Sequence, residues 1–198
     1  YTESNIEGFM NILEGCRHAN VDHLVYASSS SVYGGNTRMP FSIHDNVDHP
    51  VSLYAASKKA NELMAHCYAH LYRLPCTGLR FFTVYGPWGR PDIALFIFTK
   101  AILEGKPIEV FNHGKMKRDF TYVDNVVQGN LLALRAPRAA GQMMNLATGG
   151  RISLLDLVDK LNAILGTDIR PIHEPARVGD IKHSRADVQK AGELLGFE

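Results

Sequence analysis

Apolar residues recur at helical spacing from the first turn of the chain: Ile6, Phe9, Met10 and Leu13 predict a helix over residues 4–19. The run Leu24-Val25-Tyr26-Ala27 is too short for a helix and ends in four serines, so it predicts a buried strand. Gly34-Gly35 and Pro40 then mark a loop. Ser52 is placed to cap a long helix reaching about residue 72. Pro75 breaks that helix ahead of a strand over 77–82, and Gly86-Pro87 and Gly89 open another loop. Beyond it the pattern predicts a helix over 94–104, short strands at 108–111 and 118–122 around a turn at His113-Gly114, and a helix over 123–134. A strand at 143–146, a helix over 154–165 behind a Ser153 cap, and a short helix over 187–195 complete the reading.

Helices alternating with short apolar strands predict an α/β fold with a mostly parallel sheet. The irregular stretch near 105–122 and the tail after about 166 predict a smaller lobe over the strand ends, where crevices of open parallel sheets lie. The chain has 198 residues, 45% hydrophobic and 21% charged, as expected of a globular protein of one domain or one domain and a small lobe. A net charge of +1 gives no reason to expect nucleic acid or a membrane surface as partner. No apolar run approaches a membrane span and no basic-then-apolar leader is visible; the cytoplasmic setting that is expected rests on the three cysteines. Cys16, Cys67 and Cys76 are odd in number and lack CxxC spacing, which argues for reduced packing residues over a disulfide framework or a zinc site. His66 and His70 stand at i, i+4 without an acidic or cysteine ligand in a suitable pattern, so no metal is expected.

The central chemical signal is Tyr54-Ala55-Ala56-Ser57-Lys58. Residues four apart on a helix share a face. An ammonium beside a phenol favours the ionised oxygen, and a tyrosine so tuned can take a proton from a hydroxyl near neutral pH. About 25 residues earlier stands Tyr26-Ala27-Ser28-Ser29-Ser30-Ser31-Val32-Tyr33-Gly34. A strand ending in serines puts hydroxyls at the edge where the crevice should be, able to donate to a reacting oxygen and relay its proton.

The serine strand, the Tyr54/Lys58 pair and Leu79-Arg80-Phe81-Phe82-Thr83-Val84-Tyr85-Gly86-Pro87 resemble the extended short-chain dehydrogenases that act on nucleotide sugars, the NAD-dependent epimerase/dehydratase family. Within it the chain is most similar to the UDP-glucuronate 4-epimerases. That likeness is carried by Pro50-Val51-Ser52-Leu53-Tyr54, Gly86-Pro87-Trp88-Gly89-Arg90-Pro91-Asp92 and Gly114-Lys115-Met116-Lys117-Arg118-Asp119-Phe120. The resemblance implies a partial Rossmann-type doubly wound parallel sheet with a smaller C-terminal substrate-binding lobe. Residues 1–104 would belong to the NAD-binding domain and 105–198 mainly to the lobe, with 123–147 returning to the sheet. It implies Tyr54 as general base, Lys58 as its partner on the nicotinamide ribose, and Ser29 with Ser30 beside it as the catalytic hydroxyls. Asn5, Ala27, Ser28 and Phe81 match cofactor-side positions, and Thr83 matches a residue holding the substrate diphosphate. Val110 and Phe111 match the uracil site, and Arg118, Arg177 and Asp180 match the diphosphate and ribose site. Guanidinium groups suit phosphate oxygens on their own chemistry.

The implied reaction is NAD-dependent C4 epimerisation of UDP-glucuronate to UDP-galacturonate through a 4-keto sugar. Such an intermediate is a β-keto acid that readily loses carbon dioxide, and Arg90 is expected to hold its carboxylate against that loss. Ser30 and Ser31 occupy the positions where related dehydratases and decarboxylases resemble one another in carrying acids, which favours epimerisation. UDP-glucose 4-epimerase, UDP-glucuronate decarboxylase and a non-catalytic nucleotide-sugar-binding short form are the alternatives. A homodimer through the helices at 4–19 and 53–72 is implied as well. Neither Gly-x-x-Gly-x-x-Gly nor Gly-x-Gly-x-x-Gly occurs. The first strands and glycine-rich turn that would hold the cofactor pyrophosphate are therefore expected to be missing, and this chain alone is expected to be inactive.

Overall fold

In the computed structural model, which describes residues 1–176 and 183–198, the first helix opens as a π-helical turn, Thr2–Glu7, and continues as α1, Gly8–His18. Strand β1 spans Leu24–Ser29, so the strand runs into the serines before a 3₁₀ turn, Ser30–Tyr33, takes the chain away. Helix α2, Leu53–Tyr72, starts where the Ser52 hydroxyl accepts the Ala55 N–H at 3.1 Å. Strand β2, Cys76–Phe81, lies parallel to β1 with Ser28 opposite Arg80.

The expected strand over 77–82 is displaced by one residue, and a further short strand follows it. It begins at Cys76, ends at Phe81, and the chain then forms a separate strand, β3, Thr83–Tyr85. Phe82 is the reason: its ring is buried in a cluster with Val32, Tyr33, Phe41, Val47, Ala147 and Ala186, which draws the backbone out of the first sheet. Helix α3, Ala94–Leu103, leads to β4, Ile108–Val110. The expected strand over 118–122 is divided, into β5, Lys117–Arg118, and β6, Phe120–Tyr122. Asp119 between them turns a fully buried carboxylate inward to accept backbone N–H groups, which interrupts the alternation of the strand. Asn112, His113 and Gly114 all take left-handed φ of 51°, 51° and 71°, making the turn expected there. The strands flanking it are not partners of each other.

Helix α4 is Val123–Arg135, β7 is Met143–Leu146, β8 is Ile152–Ser153, and α5 is Leu154–Leu165. A reciprocal cap between Ser153 and Asp156 starts α5. Strand β9 is Pro171–His173 and helix α6 is Gln189–Leu195. The last helix starts two residues later than expected because the Asp187 carboxylate accepts the Gln189 N–H at 3.0 Å and so stays outside it.

Strands β1, β2 and β7 make a parallel sheet in that order. On one face Tyr26 and Cys76 pack with Leu13 of α1 and Ala65 of α2. On the other, Leu79, Met144 and Leu146 pack with Val126 and Ala133 of α4 and with Ala191 and Leu195 of α6. Helices on both faces of a parallel sheet give a doubly wound α/β layer. Beyond the strand ends β3 pairs with β6 and β4 with β9, both parallel, and β5 pairs antiparallel with β8. Their core is Phe98 and Ile102 from α3, Ile108 and Val110 from β4, and four residues of α5, with Met116. Among the described residues no helix is long and apolar enough to cross a membrane.

Gly34 ends the serine turn at φ 56° and ψ −126°, where only glycine is comfortable, and a Cβ there would lie 2.3 Å from the His49 carbonyl oxygen. Gly34→Ala is therefore expected to lower stability by about 3 kcal/mol, read as a lower urea midpoint.

Candidate active site

The site is built where the N-terminal turns of α2 cross the C-terminal end of β1. Tyr54 and Lys58 lie in one row along α2. Both are half-buried, and the Lys58 ammonium donates to the Ala27 carbonyl oxygen at 3.1 Å. Burial pushes the Lys58 pKa down. The ring of Tyr54 lies 5.6 Å from that of Tyr1, tilted by 52°. The first turn of α2 is braced from the other side: Asn5 Nδ2 donates to Ser57 Oγ at 2.9 Å, and that hydroxyl donates to the Tyr54 carbonyl at 2.8 Å. Asn5, expected on the cofactor side, thus has its side-chain amide committed to the helix that carries Tyr54.

The serines divide their tasks. Ser29 Oγ accepts from Ser31 N at 3.2 Å and from Ser31 Oγ at 2.9 Å, which leaves its own proton available to a bound group. Ser31, noted in the sequence only for not being an acid, orients Ser29. Ser28 is buried and donates to Glu62 Oε1 at 2.6 Å, so only its backbone is left for a cofactor. Ala27 is exposed, and Ser30 is half-buried next to Ser29. Phe81 ends β2 opposite Ser29 and packs against the α4 face of the sheet.

Further out, the Thr83 N–H donates to the Asp119 carbonyl at 3.1 Å. Arg90 is exposed and forks onto Asp92, with Nε–Oδ1 at 3.0 Å and Nη2–Oδ2 at 2.5 Å. The Asp92 carboxylate holds the Arg90 pKa up. Asp92, Phe111 and Arg118 line one cleft of about 500 Å³ together with Met116 and Leu154. Val110 does not line it: its side chain is fully buried in the lobe core, and its carbonyl accepts the Glu174 N–H at 2.9 Å. Arg177 and Asp180 lie outside the described residues. A concavity of about 630 Å³ beside Ser42, Arg138 and Lys190 contains none of the expected site residues. His66 and His70 are both exposed, and among the described residues no three metal-ligating side chains come together.

Two buried acids escaped the sequence reading. Glu62 stands one turn beyond Lys58 in the same row, and its spacing of four was the signal available. Asp119 accepts from Thr148 N at 3.2 Å, Thr148 Oγ1 at 2.9 Å and Ala186 N at 3.2 Å, tying the loop after β7 to the segment before α6. Burial raises its pKa, and these donors offset the rise only in part. A raised folded pKa adds stability that is full below the unfolded pKa and is lost as pH rises through the folded one. Asp119→Asn, which turns an N–H₂ toward a donor, should destabilise by about 1–3 kcal/mol. The gap between wild type and variant should be widest below the ordinary carboxylate range and narrow as pH rises, measured by urea unfolding across pH.

A UDP-glucuronate 4-epimerase of Arabidopsis thaliana is 48% identical over 215 residues, covering all of this chain and 50% of that protein. The crystal structure of a UDP-glucuronic acid 4-epimerase from Bacillus cereus with UDP-glucuronic acid and NAD superposes with a TM-score of 0.93 at 34% identity, over 100% of this chain and 63% of that one. A UDP-glucose 4-epimerase from Thermotoga maritima, solved with UDP-glucose, gives 0.93 at 33% over 100% and 64%. The chain thus spans less than two thirds of the length of these relatives. The NAD dependent epimerase/dehydratase family matches residues 1–147, from the first helix through all three strands of the main sheet, and the chain belongs to that family.

Proposed function

We propose that the protein carrying this chain is an NAD-dependent nucleotide-sugar 4-epimerase acting on UDP-glucuronate and UDP-galacturonate. The observation that carries the reading is the contact of Lys58 with the Ala27 carbonyl, which sets the row of Tyr54 and Lys58 on α2 against the end of β1 where the Ser29 hydroxyl stands. Tyr54 takes the proton of the sugar C4 hydroxyl and later returns it. Ser29 donates to the same oxygen, its own lone pairs being occupied by Ser31. NAD, when bound, accepts the C4 hydride and gives it back. This chain fits the nicotinamide half of that cofactor: Lys58 spends one donor on Ala27, and its remaining donors suit ribose hydroxyls. The cleft at Phe111 and Arg118 suits a uracil and diphosphate.

The two epimerase structures above match the fold equally well, so the choice of sugar rests on Arg90. Its fork onto Asp92 is a carboxylate-binding geometry already formed, which a uronate carboxylate can share. Arg90→Ala should keep UDP-glucuronate as a substrate but release carbon dioxide and a UDP-pentose, detected by gas evolution and proton NMR. Unchanged turnover with no carbon dioxide would remove Arg90 from this role. The reading as a whole is tested by proton NMR of the products from UDP-glucuronate and UDP-glucose with the complete gene product. Conversion of UDP-glucose alone would sink it.

We assign residues 1–104 to the cofactor domain and 105–198 mainly to the substrate lobe, with 123–147 belonging to the sheet. The exposed Met10 and Ile12 of α1 and Leu63, Leu71 and Tyr72 of α2 support a homodimer through those helices. Three free cysteines support a reducing, cytoplasmic setting.

A further inference from the structure

Glu62 continues the row of Tyr54 and Lys58 along α2, and its carboxylate meets both neighbouring strands. Oε1 accepts from the Ser28 hydroxyl of β1 at 2.6 Å and from Arg80 Nε of β2 at 2.8 Å, and Oε2 accepts from Arg80 Nη2 at 2.9 Å. Glu62, Arg80 and Ser28 are 6%, 3% and 3% exposed. The Arg80 guanidinium lies 4.9 Å from the centroid of the Tyr33 ring, and the Tyr33 hydroxyl donates to Asn145 Oδ1 of β7 at 2.6 Å. One buried carboxylate thus ties α2 to the strand of serines, to the next strand, and through Tyr33 to the third.

Such a pair is poorly explained as a source of stability. Desolvating two charges offsets most of their attraction, and apolar residues of like volume are often as good. Arg80 Nη1 is also buried without a hydrogen-bond partner, which weakens the case further. What the forked pair does supply is a unique setting. Two parallel N–H···O contacts admit one register of helix against strand, whereas apolar packing between α2 and the sheet tolerates sliding. The reacting groups depend on that register. Tyr54 and Lys58 ride on α2 two turns and one turn before Glu62, and Ala27 and Ser29 flank Ser28 on β1. The contact of Lys58 with Ala27 at 3.1 Å holds only while helix and strand keep this alignment.

We infer that Glu62, Arg80 and Ser28 are positioning residues that set the helix bearing Tyr54 and Lys58 in register with the strand bearing Ser29. The kinetic part of this inference rests on the function proposed above. The test is the double variant Glu62→Leu with Arg80→Met in the complete gene product, assayed for kcat, KM and crystal structure. Its unfolding midpoint should stay within about 5 °C of wild type. Its kcat should fall about 10- to 100-fold with KM for the UDP-sugar changed by less than about twofold, because misplacement of reacting groups acts on the chemical step. The crystal structure should show α2 displaced along β1 and the Lys58–Ala27 contact broken. Wild-type kcat, or an intact contact, in the folded double variant would overturn the inference.

Should the double variant not fold, Ser28→Ala leaves the buried pair in place and cuts only its link to β1. Its kcat should fall about three- to tenfold and be restored by Ser28→Thr, which keeps the hydroxyl. No fall in kcat, or a fall that threonine does not restore, would overturn the inference equally. A wild-type protein inactive on every UDP-sugar would instead refute the proposed function and leave the crystallographic comparison to decide the positioning.

Discussion

Tyr54→Phe in the complete gene product should lower epimerase turnover by about 10²–10⁴-fold, the usual worth of one positioned acid–base group, while leaving the fold and the KM for the UDP-sugar close to wild type. The argument for so selective an effect is structural. The contacts that hold the Tyr54 region together do not use its hydroxyl: Tyr1 meets the ring, and Ser57 donates to the main-chain carbonyl. The half-buried side chain stands in the Lys58 row, with the Ser29 hydroxyl presented at the end of β1. Removing one oxygen takes away the proposed base and leaves these contacts in place. The check is product formation followed by proton NMR alongside a thermal melt. A variant that kept a tenth or more of wild-type turnover would remove Tyr54 from the role of base and move attention to Ser29.

Arg80→Met alone should be the most destabilising of the changes considered, by about 3–5 kcal/mol, because it strips a buried carboxylate of its forked cation. Glu62 would keep only Ser28 and the more distant Lys59 ammonium at 3.8 Å. Burial by itself would lower the Arg80 pKa, yet Glu62 more than offsets this and holds the guanidinium above its usual range. Arg80 is therefore charged at every accessible pH, and its loss cannot be relieved by titration of its own group. The urea midpoint should fall by about 2 M, given a slope of about 1–3 kcal/mol per molar. Adding Glu62→Leu should recover most of that loss. A single variant as stable as wild type would mean that water reaches the Glu62 carboxylate once the arginine is gone.

Several elements were legible because their signals are local. The run of apolar residues at spacing three and four in α1, the Ser52 and Ser153 caps, and the break at Pro75 depend on a few neighbouring residues, and the helices begin and end close to where those signals put them. The row of Tyr54 and Lys58 follows from helix geometry alone. The strand of serines was legible for the same reason, although its end at Ser29 was not, since Ser28 and Ser29 are polar and only their partners Arg80 and Phe81 keep them in the sheet.

The sequence by itself determined the fold class, the helix that carries the Tyr–Lys pair and the strand that carries the serines, because periodicity and capping are properties of contiguous residues. Only the tertiary structure decided which strands pair, that Asp119 divides the strand expected over 118–122, and that the Val110 side chain lies in a core. It alone joined Glu62 to Arg80 across 18 residues, Ser28 to Glu62 across 34, and Asp119 to Ala186 across 67. Those bonds form because a buried charge or N–H must find a partner wherever the fold brings one, and no local rule names that partner in advance.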